Sequence, residues 1–409
     1  MKRTVAVMLM CAGMGSCDPR LPSSPDLFVD FGVIDASTTP LSPRGKSFMN
    51  GVYDVVQGTG ELGTTVVGKW VDNRWCMYSQ HDVVFSVCGG GSVGSSIILR
   101  GYIRIVRSGS GTRVGLSIST DEGGRELTLG DTVSAVRIQG TTEDGTTIDL
   151  RRAGNRSTAP LDIVAHRGGG RNSDRLGISE NSVEMIRYAG YLGATGVEID
   201  VKRTRDNQLI VFHDDTFSPR TVQGAYLLGK VEEYDLSQIR SLGKLINGEQ
   251  IPTLSDALTA VIEDTQLSLV WLDIKDPGEV PQVVQIQIKM LQYAATRGRD
   301  TLSILLGIPS QEVLDAYFPF RDSSDALCEL EPANVISLPR CRVWAPVWTR
   351  NITAGEIAGV RVPDALGRRR KVITWTVDLR ENIGDYLNLG VDGILSNYPT
   401  LVAAIHDSK

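Results

Sequence analysis

Eight short apolar runs, each followed by a stretch long enough for a helix, fill the chain from Leu161 onward: 161–165, 196–201, 267–274, 302–307, 327–330, 343–347, 372–377 and 393–395. Strand and helix in alternation need crossover connections, which pair the strands in parallel. Eight such units in the 249 residues of 161–409 match the size of a closed (β/α)8, or TIM, barrel of about 250 residues. The fold class expected for this half is therefore α/β.

Residues 27–152 have another texture. Runs of β-branched and aromatic residues, such as Gly51-Val52-Tyr53-Asp54-Val55-Val56 and Thr65-Val66-Val67-Gly68-Lys69-Trp70, alternate with turn signals at Gly89-Gly90-Gly91, Gly109-Ser110-Gly111, Glu122-Gly123-Gly124 and Asp144-Gly145. This pattern predicts an all-β accessory domain, a barrel or sandwich of roughly eight antiparallel strands, lipocalin-like in its barrel form. The polar segment 151–160, with Gly154, Asn155 and Pro160, stands between the two periodicities as a linker.

The N-terminus reads as a processing signal. Lys2 and Arg3 lead into the apolar run 5–12 and then Met14-Gly15-Ser16-Cys17, too short a run to span a bilayer. Small residues directly before a cysteine resemble the lipobox of bacterial lipoproteins. That resemblance implies a signal peptide over 1–16, lipidation at Cys17, a tether over 17–26 and an exported protein anchored in the cell envelope through its N-terminal lipid. The formal charge of −6 becomes −8 when Lys2 and Arg3 leave with the signal, and such an acidic chain lacks the basic footprint of a nucleic-acid partner. Cys11 would leave as well. Cys76 with Cys88 and Cys328 with Cys341 lie close in sequence, and disulfides or buried thiols fit them equally, whereas no CxxC or paired histidine suggests zinc.

Polar residues gather where the predicted strands of the second domain end, the face on which a barrel of this kind carries its chemistry. His166-Arg167-Gly168 ends the first strand, Glu198-Ile199-Asp200 the second and Asp273-Ile274-Lys275 the third, while His213-Asp214 follows the extended run 209–212. Period-two geometry sends Glu198 with Asp200, and Asp273 with Lys275, to one side of their strands. Taken singly, Glu-x-Asp is usually a solvated edge and Asp-x-Lys a surface pair. Their joint placement after barrel strands favours a site.

From Ile163 to about Leu401 the sequence resembles the glycerophosphodiester phosphodiesterase family. The resemblance rests on His166-Arg167-Gly168, Glu180-Asn181-Ser182, Gly196-Val197-Glu198-Ile199-Asp200-Val201, Thr204-Arg205-Asp206, Val211-Phe212-His213-Asp214, Ile251-Pro252-Thr253-Leu254, Asp273-Ile274-Lys275, Trp375-Thr376-Val377 and Gly390-Val391-Asp392-Gly393, with the two histidines 47 residues apart. It implies that Glu198, Asp200 and Asp273 hold one divalent cation, calcium or magnesium since all ligands are oxygens. It also implies that Arg167 and Lys275 bind phosphate and that His166 and His213 serve as general acid and base, with either histidine in either role. Glu180 and Asn181 would orient these groups from behind, and Trp348 and Trp375 would line the substrate groove or belong to the core. His81 and His406 receive no function. The implied reaction is hydrolysis of a small glycerophosphodiester to an alcohol and glycerol phosphate, with water or the neighbouring glycerol hydroxyl as attacker.

Two departures stand out. The family has Glu where this chain has Asp273, and residues 169–179, between His-Arg-Gly and Glu-Asn, are long and polar. The competing functions are a phospholipase C-like cyclising phosphodiesterase on the same barrel and a non-catalytic lipoprotein whose β domain binds a glycan or lipid. The placement of every candidate group after residue 160 predicts that 161–409 suffice for catalysis and that 27–152 place or select the substrate.

Overall fold

The computed structural model describes residues 36–81, 83–171, 176–224 and 226–409. The expected signal 1–16, Cys17 and the tether 17–26 lie outside the described residues. After a short helix α1 (Pro43–Met49), eight antiparallel strands run β1 (Gly51–Gln57), β2 (Thr65–Val71), β3 (Arg74–Ser79), β4 (Val84–Val93), β5 (Ser96–Ile105), β6 (Gly111–Ile118), β7 (Arg137–Thr142) and β8 (Thr147–Gly154), with α2 (Gly124–Leu129) between β6 and β7. Neighbours in sequence pair in space and β1 closes on β8, giving an up-and-down barrel. Its interior is a packed core of Tyr53, Trp75, Met77, Leu99, Ile103, Leu116 and Ile138.

One predicted turn lies inside a strand, and another is part of a longer connection. Gly89-Gly90-Gly91 lies inside β4, paired with Arg100, Leu99 and Ile98, because an incoming segment needs the space: a side chain on Gly91 would stand 2.3 Å from the Thr39 carbonyl, and Thr39 and Ser92 exchange both backbone hydrogen bonds. Glu122-Gly123-Gly124 opens into α2 instead of a hairpin. The linker is also shorter than its composition suggests, since β8 continues to Gly154 through pairing with β1.

The second half forms a parallel barrel of β9 (Asp162–Ala165), β10 (Gly196–Arg203), β16 (Leu269–Ile274), β17 (Ser303–Ile308), β18 (Ala326–Cys328), β19 (Cys341–Trp344), β20 (Lys371–Thr374) and β21 (Gly393–Ser396), closed by β9 against β10 and β21. All eight predicted strands are present, which makes the chain α/β overall. Around it pack α3 (Val183–Ala189), α5 (Leu254–Asp264), α6 (Val280–Thr296), α7 (Gln311–Tyr317), α8 (Pro332–Ser337), α9 (Ala354–Val360), α10 (Arg380–Leu389) and α11 (Pro399–Asp407). Between β10 and α5 the chain leaves the barrel. There β11 (Leu209–Val211) runs antiparallel to β10, followed by β12 (Thr216–Phe217), β13 (Val222–Gln223), β14 (Gly229–Lys230), α4 (Leu236–Leu242) and β15 (Lys244–Leu245), with a core of their own from Phe212, Phe217, Val222, Leu227 and Ile239.

The two barrels share one apolar core. Alternation sends Val66, Met77, Val84 and Ile103 inward, yet the outward residues Val67, Tyr78, Phe85 and Tyr102 are equally buried, in one cluster with Tyr188, Leu192 and Ala403 of the parallel barrel. Phe85 meets Tyr188 edge to face at 6.2 Å. Polar contacts border this patch: Asp407 pairs with Lys69 at 3.8 Å and Arg156 at 3.4 Å, and Gln80 Nε2 donates to Ser408 Oγ at 2.6 Å. Strands buried on both faces read as continuous apolar runs.

Cys76, Cys88, Cys328 and Cys341 are buried free thiols. Cys76 pairs with Val87 and Cys88 with Trp75, so the first pair points to opposite faces, Cys76 into the shared core and Cys88 into the barrel. Burial pushes both thiols up to about 12.

A shared core should make the two barrels unfold together. Phe85→Ala is expected to cost about 3–5 kcal/mol, read as a lowered urea midpoint of a single transition followed by both near- and far-ultraviolet circular dichroism. Two separate transitions in the unaltered protein would show that the barrels are independent.

Candidate active site

The parallel register of β10 and β16 sets Asp200 opposite Asp273 and Glu198 opposite Trp271. All four face the barrel interior at its C-terminal end. Glu198, Asp200 and Asp273 bring ligand oxygens within 4.8 Å of one another. Glu198 and Asp200 are buried, and Glu198 Oε1 and Asp200 Oδ1 have no hydrogen-bond partner among the described residues. Burial, then the charges of Asp200 and Asp273, raises the Glu198 carboxyl well above its usual range. Burial also lifts Asp273. Asp200 goes the other way: burial opposes its ionisation, but His213, Lys275 and the Asn181 amide hold it below the ordinary carboxylate value. Lys275 is ion-paired to Asp273 and lies 3.4 Å from Asp200; burial disfavours its charge, and the acids around it more than restore it.

The loop after β9 wraps this cluster from one side. Arg167 has φ 52° and Asn181 φ 59°, left-handed conformations that cost a side-chain-bearing residue roughly 1–2 kcal/mol each. The turn aims the Arg167 N–H at Glu198 Oε2, 2.7 Å away. Its side chain donates Nη1 to Glu180 Oε1 at 2.9 Å. Asn181 N–H donates to the Arg167 carbonyl at 2.8 Å, and its Nδ2 donates to Asp200 Oδ2 at 2.8 Å. Glu180 and Asn181 thus stand against Arg167 and the acidic cluster.

Each histidine is oriented through Nδ1. His166 Nδ1 lies 2.7 Å from Asn397 Oδ1, Asn397 Nδ2 donates to Asp378 Oδ2 at 2.6 Å, and His166 Nε2 faces Glu198 at 3.8 Å. Burial pulls the His166 imidazole below its usual value. His213 Nδ1 lies 2.8 Å from Asp214 Oδ1, and Arg220 fixes Asp214 with Nη2 at 2.7 Å. A ring held at one nitrogen presents the other to the site in a set direction. Among the described residues, Asn397, Asp378 and Arg220 are members that sequence reasoning passed over, and Asp214 entered it only as part of the His213-Asp214 motif without a role. Asn397 had a signal, since it follows the eighth strand directly. Glu329, one residue beyond β18, joins them: burial and then Asp273 push its carboxyl up to about 8.

The tryptophans separate. Trp375 belongs to the upper layer of the barrel interior, edge to face with Trp271 at 6.3 Å and donating Nε1 to the Ala345 carbonyl at 2.7 Å. Trp348 is 37% exposed, and its N–H donates to the Trp375 carbonyl at 2.7 Å. Beside Lys275 opens a cleft of about 810 Å³ lined by Lys202, Arg205, Asp215, Lys230 and Glu279.

If Asn397 sets the His166 ring, Asn397→Ala should lower turnover about 10- to 100-fold with the fold intact. In the nuclear magnetic resonance titration of the metal-free protein, His166 should titrate below about 6.5; a value at or above this would contradict the buried ring described here.

Comparison with known proteins concerns the parallel barrel. Residues 166–309 match the glycerophosphoryl diester phosphodiesterase family. A glycerophosphodiester phosphodiesterase of Caldanaerobacter subterraneus is 29% identical over 246 residues, 58% of this chain and 94% of the relative. Glycerophosphodiester phosphodiesterase 1 of Rattus norvegicus is 36% identical over 107 residues, 24% of this chain and 30% of the relative. An Oleispira antarctica phosphodiesterase, solved with sn-glycerol-3-phosphate, is 21% identical with a TM-score of 0.47, covering 61% of this chain and 98% of that one. The parallel barrel thus carries a glycerophosphoryl diester phosphodiesterase family domain over residues 166–309.

Proposed function

We propose that the parallel barrel hydrolyses small glycerophosphodiesters to an alcohol and glycerol phosphate, using a divalent cation and the pair His166 and His213. The observation that carries this is the convergence of three carboxylates on one space between two histidines that are each oriented at Nδ1. Two buried carboxylate oxygens without a hydrogen-bond partner among the described residues fit a cation, and an all-oxygen set suits calcium or magnesium. Glu198, Asp200 and Asp273 would hold it. Bound there, it supplies charge stabilisation at the phosphoryl oxygens.

The chain's own groups do the rest. The Arg167 guanidinium, braced by Glu180, and the Lys275 ammonium present positive charge to the phosphate. One imidazole takes the proton of the attacking hydroxyl while the other delivers a proton to the departing alkoxide, and both nitrogens needed for this are the Nε2 atoms left open by Asn397 and Asp214. A cyclising, phospholipase C-like reaction would use the same groups with the glycerol hydroxyl as attacker. The β barrel serves to place or select substrate, and the chain works from the cell envelope, exported and anchored by lipid on Cys17; support for the anchor comes from Met14-Gly15-Ser16-Cys17. The packed interior of that barrel argues against a glycan or lipid held inside it.

Chelation should abolish release of choline from glycerophosphocholine, and calcium or magnesium should restore it; full turnover in chelator would remove the cation from the mechanism. His166→Ala and His213→Ala should each lose at least about 100-fold in turnover with unchanged circular dichroism. Cys17→Ser should appear in the soluble fraction of the producing cell, and unchanged membrane association would refute the anchor.

A further inference from the structure

The wall of the mouth beside His166 is built by both barrels. β5 and β6 meet in a tight turn, with the Ile105 N–H donating to the Ser110 carbonyl and the Gly109 N–H to the Ile105 carbonyl, both at 2.9 Å, and Gly109 at φ 70°. Val106 anchors the turn in the shared core. The next residue, Arg107, is exposed and places its guanidinium carbon 5.0 Å from the centroid of the Tyr398 ring. Arg171 reaches the same half-buried ring, 5.7 Å from its centroid, and donates Nη2 to the Tyr398 hydroxyl at 2.9 Å. Tyr398 directly follows Asn397, the partner of His166, and Arg171 lies five residues after His166. Two guanidiniums from different barrels therefore share one aromatic platform beside the catalytic imidazole.

Arg167 and Lys275 are already assigned to the scissile phosphate, which leaves the platform at Tyr398, with Arg107 upon it, for a different part of the substrate. Arg107 makes no ion pair among the described residues. A guanidinium held against an aromatic ring keeps its donors in a fixed fork, which matches a phosphate or carboxylate and lowers the entropy lost on binding. We propose that Arg107, Arg171 and Tyr398 form a subsite for a second negatively charged group of the substrate, remote from the scissile bond, and that the β barrel selects substrates through Arg107. This rests on the phosphodiesterase function proposed above.

The test compares glycerophosphoinositol with its 4-phosphate, which differ by one anionic group, on the full chain loaded with metal. The unaltered enzyme should prefer the phosphorylated substrate, mainly through KM. Arg107→Ala should reduce that preference, as a ratio of kcat/KM values, about tenfold, and Arg107→Lys, which keeps the charge without the fork, should lie between. A ratio unchanged by Arg107→Ala overturns the subsite. Calorimetric binding of glycerophosphoinositol 4-phosphate to chelated protein is read separately: equal affinity for the unaltered protein and Arg107→Ala also overturns it, whereas a loss of about tenfold supports it even if neither substrate is turned over, a result that would count against the phosphodiesterase function alone.

Discussion

Glu198, Asp200 and Asp273 repel one another across less than 4.8 Å, in a place where burial has removed most of the water that would screen them. Charges so placed are unfavourable unless other groups compensate, and much of the barrel mouth can be understood as that compensation. Lys275 lies against two of the acids. The Arg167 N–H binds Glu198 Oε2 and the Asn181 amide binds Asp200 Oδ2, and both residues accept a left-handed backbone to do so. The rigidity of the frame makes this bearable: β10 and β16 are locked side by side over six residue pairs, so the cluster cannot relax by drifting apart.

This frame was largely legible in the sequence because parallel barrel strands, buried on both sides, leave continuous apolar runs, and because period-two spacing fixes which residues look inward. Glu198, Asp200, Asp273 and Lys275 could be placed on that basis alone. Asn397 and Arg220 could not. Asn397 follows the eighth strand directly, but the histidine it orients is 231 residues away, and Arg220 acts on the nearby His213 only through Asp214, a contact that no strand period marks. The glycines of β4 misled for the opposite reason: Gly89-Gly90-Gly91 has the local signature of a turn, and tertiary approach of the Thr39 segment overrode it.

The boundary between the halves shows the same limit of local reading. Composition separates 27–152 from 161–409 cleanly, yet the outer faces of β2 to β5 and the helices α3 and α11 bury one continuous apolar surface. Tyr78, Phe85 and Tyr102 look like ordinary strand residues in sequence. Their partners, Tyr188 and Ala403, are about 90 to 325 residues further along the chain, so the contacts have among the highest sequence separations in the molecule. Cutting at the linker would expose both sides of that surface.

That separation also sets an order of events during synthesis. The antiparallel barrel pairs each strand with its neighbour and can close as soon as β8 is made, because its contacts are local. Its outer face must then wait for Leu401, Ala403 and Ile405 of α11, with Asp407 and Ser408, which are made more than two hundred residues after β8. Until α11 is made, an apolar patch of Val67, Tyr78, Phe85 and Tyr102 lacks part of its cover, a surface suited to chaperone capture and to mispairing between nascent chains. Helix α11 is thus the seal of the molecule, and its loss would fall hardest on a domain made more than two hundred residues earlier.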